Sequence, residues 1–148
     1  MASLLNPYIG FTGNAREAME FYQSVFGGDL TVSTFGEFGD TGASADKVMH
    51  AQLQSPSGYT LMGSDIPEGM PHQPGSTISV SLSGDGEELH GYWDKLAEGG
   101  TVTLPLAMQM WGDEFGQVVD RFGIAWMVNV AGDHSGETSG DGAPPAAD

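Results

Sequence analysis

The 148-residue chain has no cysteine, only four basic side chains against 20 acidic ones, and no long apolar run. Without a thiol, a disulfide framework, a thiolate nucleophile, an iron–sulfur cluster and a cysteine-type zinc site are excluded, so any chemistry rests on oxygen and nitrogen groups. Arg16, Lys47, Lys95 and Arg121 are the cations, and the formal charge is -16. Such a chain repels a phosphate backbone and an anionic lipid surface, which argues against nucleic acid and membrane as partners and for a neutral or cationic small molecule. Nothing approaches the roughly 18 consecutive apolar residues of a membrane span, and the N-terminal MASLLNPYIGF has no basic n-region. The expectation is a soluble, cytoplasmic protein. Most carboxylates lack a cationic partner and repel one another, a repulsion that salt relieves. Solubility, salt adaptation and attraction of a cation are all open as the reason for the charge.

The length is that of one domain. From residue 133 the chain reads DHSGETSGDGAPPAAD, with no large apolar side chain. That composition cannot offset its ordering entropy, so residues 133–148 are expected to be an acidic flexible tail and residues 1–132 the folded domain. Within the domain the sequence repeats. Asn14-Ala15-Arg16-Glu17 is a capping-box pattern, followed at helical spacing by Ala15, Ala18, Met19, Tyr22, Val25 and Phe26, and stopped by Gly27-Gly28. Asp85-Gly86-Glu87-Glu88 opens a second helix with Leu89, Tyr92, Trp93 and Leu96 as its stripe and Gly99-Gly100 as its stop. A short strand candidate precedes each helix and three follow it: PYIGF, LTVSTF, VMHAQLQ and YTLMGS in the first half. STISVSL, TVTLPL, a segment around MQMW and FGQVVD, and IAWMVNV complete the second half, with Asp120-Arg121-Phe122-Gly123 as a turn. The fold class is therefore α+β: two βαβββ modules, about 5–65 and 75–131, forming a curled mixed sheet. In each module the helix covers one sheet face, and the bare faces are expected to enclose a small-molecule cleft, with a dry core or a dimer seam as the alternative.

The run NPYIGFTGNAREAMEFYQSVFGG, the segment VMHAQLQ followed by LMGSD, and the closing WGDEFGQVVDRFGIAWMVN resemble the PhnB-like branch of the vicinal oxygen chelate superfamily. That superfamily includes glyoxalase I, bleomycin and fosfomycin resistance proteins, extradiol dioxygenases and methylmalonyl-CoA epimerase. The resemblance implies the glyoxalase/bleomycin resistance/dioxygenase fold and a homodimer. A demethylubiquinone methyltransferase label is also attached to this branch, but no glycine-rich loop follows a strand here as a doubly wound cofactor domain would require. In the metal-dependent relatives, ligands from the first and last strand of each module hold a divalent ion that stabilises an enediolate-like anion. Carried onto this chain, the last-strand positions fall on Met62 and Met127. The first-strand positions fall on Pro7 or Tyr8 and on Ile78 or Ser79, and alternation favours Tyr8 and Ser79, with Ile9, Phe11, Ile78, Val80 and Leu82 facing the helices. None of Tyr8, Met62, Ser79 and Met127 is a normal ligand for a hard or borderline divalent ion, and thioether is a soft donor that suits Cu(I) better. No cofactor is expected, and a divalent metal would need a site other than these positions.

Alternation in VMHAQLQ puts Met49, Ala51 and Leu53 on one face and His50, Gln52 and Gln54 on the other, with Met62 beside His50 and Gln52 across a hairpin. Histidine changes charge near neutral pH, so His50 is a candidate base, or else a satisfied strand residue. The repeat brings Phe115 and Gln117 to the matching places in the second module. Asp113 and Glu114 lie beside Trp111 and Phe115, and Glu114, if buried, is a candidate acid or base. His72, in DIPEGMPHQPGS, belongs to a possible lid or dimer arm, His90 to a charged helix surface, and His134 to the tail. Two function classes follow. One is a binding module whose ligand contacts Tyr8, Gln52, Met62, Ser79, Trp111, Phe115, Gln117 and Met127 without a metal. The other is an enzyme of lyase, isomerase or dioxygenase type, with His50 or Glu114 as the acid/base or with a metal at a site not recognised in the sequence. A structural or regulatory partner, with a filled cleft and a large exposed apolar patch, is a third possibility.

Overall fold

A computed structural model describes residues 3–67 and 69–132; the expected tail at 133–148, with His134, lies outside them. Among the described residues the chain divides between Pro74 and Gly75 into two compact units, one per repeat. In the first, β1 (Tyr8–Phe11), α1 (Ala15–Phe26), β2 (Asp29–Thr34), β3 (Val48–Gln54) and β4 (Thr60–Asp65) follow in order. Their sheet runs β1-β4-β3-β2, with β1 parallel to β4 and the other pairs antiparallel. The helix buries the six residues of its apolar stripe against Phe11, Ala51, Leu53 and Leu61. A side chain at Gly63 would meet the Met19 sulfur at 3.3 Å, which shows how closely α1 lies on β4. At the helix stop, Gly28 has φ +100° and a Cβ there would overlap the Gln54 carbonyl, so the turn into β2 requires glycine.

The second unit repeats the plan with β5 (Val80–Gly84), α2 (Glu88–Ala97), β6 (Thr101–Met108), β7 (Glu114–Val119) and β8 (Ala125–Val130). Its sheet runs β5-β8-β7-β6, again with one parallel pair, β5 with β8. Leu89, Trp93 and Leu96 are buried on α2, and its sheet contributes Leu82, Val118, Trp126 and Val128 to the core. Each unit is thus an open mixed sheet with one helix on one face, as the repeat predicts. The Asp120 turn is also as expected: Oδ1 accepts from the Phe122 and Ile124 N–H groups while Oδ2 accepts from the Trp126 indole, fixing a core side chain from the turn.

Three local expectations are corrected. Neither capping box forms: Asn14 makes no side-chain cap bond, and α2 starts at Glu88, with no cap bond from Glu87. The start of α1 is held instead by Asp65 at the end of β4, whose Oδ1 accepts from Gly13 and Ala15 N–H and whose Oδ2 accepts from Val48 N–H. A β-bulge is the second correction, since β2 steps from Ser33 opposite His50 to Thr34 opposite Val48. The extra residue, Met49, leaves strict alternation, so Val48 takes the core position while His50 and Gln52 keep theirs. Third, Ile78 does not face a helix but is 83% exposed. The first ladder pair is Val80 with Trp126, and β8 begins only at Ala125, so Ile78 has no partner strand.

Candidate functional site

In β4, Leu61, Gly63 and Asp65 are buried, leaving Thr60, Met62 and Ser64 on the face opposite α1. Tyr8 sits beside Met62 in the parallel ladder and Gln52 beside it in the antiparallel one, so three strands place a phenol, a thioether and a carboxamide side by side. His50 joins them: its Nδ1 lies 3.2 Å from the Tyr8 hydroxyl, with ring centroids 5.7 Å apart and planes tilted by 36°. With the proton on Nε2, the Tyr8 O–H donates to Nδ1 and the imidazole keeps one N–H for another acceptor. The structure therefore gathers Tyr8, His50, Gln52 and Met62 on one face of the first unit, the grouping that alternation predicts.

The corresponding face of the second unit carries Phe115, Gln117, Met127 and Asn129, with Gln117 opposite Met127 and Phe115 opposite Asn129. Ser81 is the β5 neighbour of Met127, as Tyr8 is the β1 neighbour of Met62. Ser79 shares that parity but precedes the strand. Trp111 belongs to the turn between β6 and β7, closed by Gln109 N–H to Asp113 C=O at 2.8 Å, and its ring meets Phe115 edge-on at 5.8 Å. Asp113, fully buried, accepts from the Gly132 N–H through Oδ1 and from the Asn129 side chain through Oδ2. That bond fixes which way the Asn129 amide points. As a result the Asn129 Oδ1, and separately the Trp111 indole N–H, are buried with no hydrogen-bond partner, each costing on the order of 1–3 kcal/mol if left unsatisfied.

Glu114 is not part of this face. It shares parity with Gly116, where a side chain would collide with the Trp93 ring of α2, and its Oε2 lies 2.7 Å from His90 Nε2 on that helix. His90 Nδ1 also lies 3.5 Å from Glu87. The hydrogen bond to the Glu114 carboxylate, with the charges of Glu114 and Glu87, holds the His90 pKa above its ordinary 6.5 against an opposing effect of burial. His90 is thus tied to the sheet rather than only to a charged helix surface. The side on which Glu114 lies is legible in the sequence, because β7 alternation from Gly116 and Val118 puts it on the helix side, whereas its pairing with His90 depends on how α2 packs.

The positions carried over from the metal-dependent relatives do not suit a divalent ion. Tyr8 and Met62 adjoin in one unit; Ser81 and Met127 adjoin in the other, with Ser79 two residues before Ser81, and all offer hydroxyl or thioether groups. Among the described residues, no three His, Asp or Glu side chains come together as a ligand set.

Comparison with known proteins adds the family. The model described as 3-demethylubiquinone-9 3-methyltransferase matches residues 4–129. Protein PA1353 of Pseudomonas aeruginosa superposes with a TM-score of 0.80 at 39% identity, covering 89% of this chain and 100% of that one. A Bacillus cereus structure described as a putative 3-demethylubiquinone-9 3-methyltransferase, PhnB protein, gives 0.68 at 26% identity, covering 87% and 100%. The glyoxylase/bleomycin resistance protein/dioxygenase domain from Frankia sp. EAN1pec gives 0.61 at 17% identity, covering 91% and 95%, a likeness of fold.

Proposed function

The chain belongs to the PhnB-like family described as 3-demethylubiquinone-9 3-methyltransferase, and we propose on that premise that it binds a small organic molecule without the superfamily's divalent metal. The observation that carries the proposal is the pair of unpartnered buried groups flanking Phe115, the Trp111 N–H and the Asn129 Oδ1. Phe115 and Asn129 are each only 6% exposed. A ligand with an apolar or aromatic body, one acceptor and one donor therefore packs on the half-buried Gln117 and Met127 and satisfies both groups by displacing the side chains that cover them. The surrounding charge of -16 favours a neutral or cationic one. Methyl transfer is not carried over from the family's description, because neither repeat has the glycine-rich strand-to-helix turn of a doubly wound cofactor domain. A homodimer in the cytoplasm is part of the reading. It is supported by the edge strand β6, which leaves Val102, Leu104 and Met108 exposed, and by the absence, among the described residues, of a helix long and apolar enough to cross a membrane.

The enzyme reading is favoured by one observation, the Tyr8–His50 hydrogen bond. In it His50 takes a proton next to a substrate carbonyl, and Tyr8 or Gln52 holds the developing oxyanion. Glu114 has no part in that version, since His90 engages it on the other face. Metal analysis of purified untagged protein by mass spectrometry, with calorimetric titration of Zn, Ni, Mn and Cu(I), tests the metal-free claim: no stoichiometric metal is expected. A stoichiometric divalent ion overturns it. A panel of aromatic amines followed by intrinsic tryptophan fluorescence, with Trp111→Phe identifying the Trp111 contribution among the three tryptophans, then tests binding, with Phe115→Ala expected to weaken it about tenfold or more. Turnover of a bound compound that is lost in folded His50→Ala selects the enzyme over the binding module.

A further inference from the structure

The first unit holds a cavity of about 300 Å³ that shares no lining residue with the Tyr8–His50–Gln52–Met62 face. It lies where the loop after β2 meets the loop after β4. A clip from Phe35 N–H to the Lys47 C=O, with Lys47 N–H to the Ser44 C=O, draws Ser44 and Lys47 to its rim. Lys47 is exposed as a residue, but its side chain reaches back to the segment before α1, with Nζ 3.2 Å from where a Gly13 Cβ would be. Thr12 and Ser44 offer hydroxyls, and His72, from the loop read as a lid or dimer arm, offers an imidazole. Phe35, Ile66 and Met70 supply an apolar wall.

Charge decides what such a cavity takes. The chain has 20 carboxylates and four cations, so a lysine here has every chance of an ion pair. Yet the Lys47 ammonium has no hydrogen-bond or ion-pair partner among the described residues, nor has the His72 imidazole. Asp65 lines the cavity too, but backbone N–H groups occupy both its oxygens. Among the described residues, an ammonium, two hydroxyls and an imidazole around a void, with the Asp65 carboxylate turned to the backbone, match an oxyanion better than a cation. The apolar wall adds an organic body of modest size, for which 300 Å³ is the lower end of the range of small-molecule pockets.

We infer that this cavity is a second ligand site, for a small organic oxyanion whose carboxylate or phosphate is held by Lys47 and whose apolar part packs on Phe35, Ile66 and Met70. Benzoate and phenyl phosphate titrated into the full chain, followed by amide shifts in NMR spectra and by calorimetry, test it and separate the two head groups. Benzyl alcohol serves as the neutral analogue and inorganic phosphate as the bare head group. Saturable binding of at least one aryl anion is expected, with shifts at Thr12, Gly13 and Ser44 rather than at His50 and Met62. Lys47→Ala should weaken it by about tenfold, with the melting temperature little changed because the side chain is exposed and has no hydrogen-bond or ion-pair partner among the described residues, and His72→Gln should weaken it severalfold. Absence of binding by both aryl anions at about 10 mM overturns the proposal. So does benzyl alcohol binding as tightly as the anions, or Lys47→Ala binding them as well as the wild type. Inorganic phosphate binding at the same amides supports the head-group assignment, and its binding elsewhere alone, without either aryl anion here, overturns it.

Discussion

At the scale of single residues, the His90–Glu114 contact shows how a strand side chain can be read in two ways. Glu114 is flanked by aromatic residues, which suggests a carboxyl kept from water, but the ladder turns it towards α2 and a histidine 2.7 Å away. The consequence is a pH-dependent brace. The folded-state pKa of His90 is raised, so the protonated pair contributes fully below the ordinary histidine value and its contribution is lost as pH rises through the raised value. Both side chains are about a third exposed, which limits the effect to about 0.5–1 kcal/mol. Urea unfolding of wild type and His90→Gln at pH 6 and pH 9 measures it, with a larger difference expected at pH 6. The pH dependence of that difference should vanish in the Glu114→Gln background, and a difference equal at both pH values refutes the assignment.

At the scale of elements, Asp65 ties the end of β4 to the starts of α1 and β3 through three backbone N–H groups. Asp65→Asn keeps the shape but turns an NH2 towards one set of donors, so either Val48 or the Gly13 and Ala15 pair loses its acceptor. A loss of about 2–3 kcal/mol is expected, seen as a melting temperature lower by roughly 5–10 °C and faster amide exchange at Ala15 or Val48. A change under about 0.5 kcal/mol would show that water replaces the carboxylate without penalty. Asp65 also explains what the sequence could and could not reveal. Periodicities of 3.6 and 2 expose both helix stripes, the strand order and the face shared by Tyr8, His50, Gln52 and Met62, because each is set within a few residues. The capping of α1 is set by a residue 50 positions away, so the local Asn14 pattern misleads. The Met49 bulge, the late start of β5 and the His90–Glu114 contact likewise depend on a partner strand or helix. The unpartnered Asn129 Oδ1 is hidden for the same reason, since only the bond to Asp113 fixes its direction.

At the scale of the whole molecule, charge is the dominant long-range term. Giving each of the four cations one carboxylate leaves 16 without a cationic partner. Many are on exposed faces, Glu17 and Glu20 on α1 and Glu88 and Asp94 on α2, together with Glu87 and Glu98 at the ends of α2. At about 0.01 M salt the Debye length, near 30 Å, lets charges across a unit repel one another; at about 1 M it is roughly 3 Å and only neighbours interact. Folding concentrates this charge, so the repulsion weighs against the native state more than the unfolded one, and salt should stabilise the chain. A rise of several degrees in melting temperature is expected between those salt concentrations. Screening depends on ionic strength and not on the anion, whereas surface exclusion by sulfate does not scale that way. Sodium chloride and sodium sulfate compared at matched ionic strength therefore separate the two. Coincident rising curves assign the gain to relief of repulsion, a gain in sulfate alone assigns it to exclusion, and a flat response in both shows that the unfolded chain carries the same electrostatic strain. Replacing Glu17 and Glu20 by Gln should reduce the slope in sodium chloride if their charge on the exposed side of α1 is part of that strain.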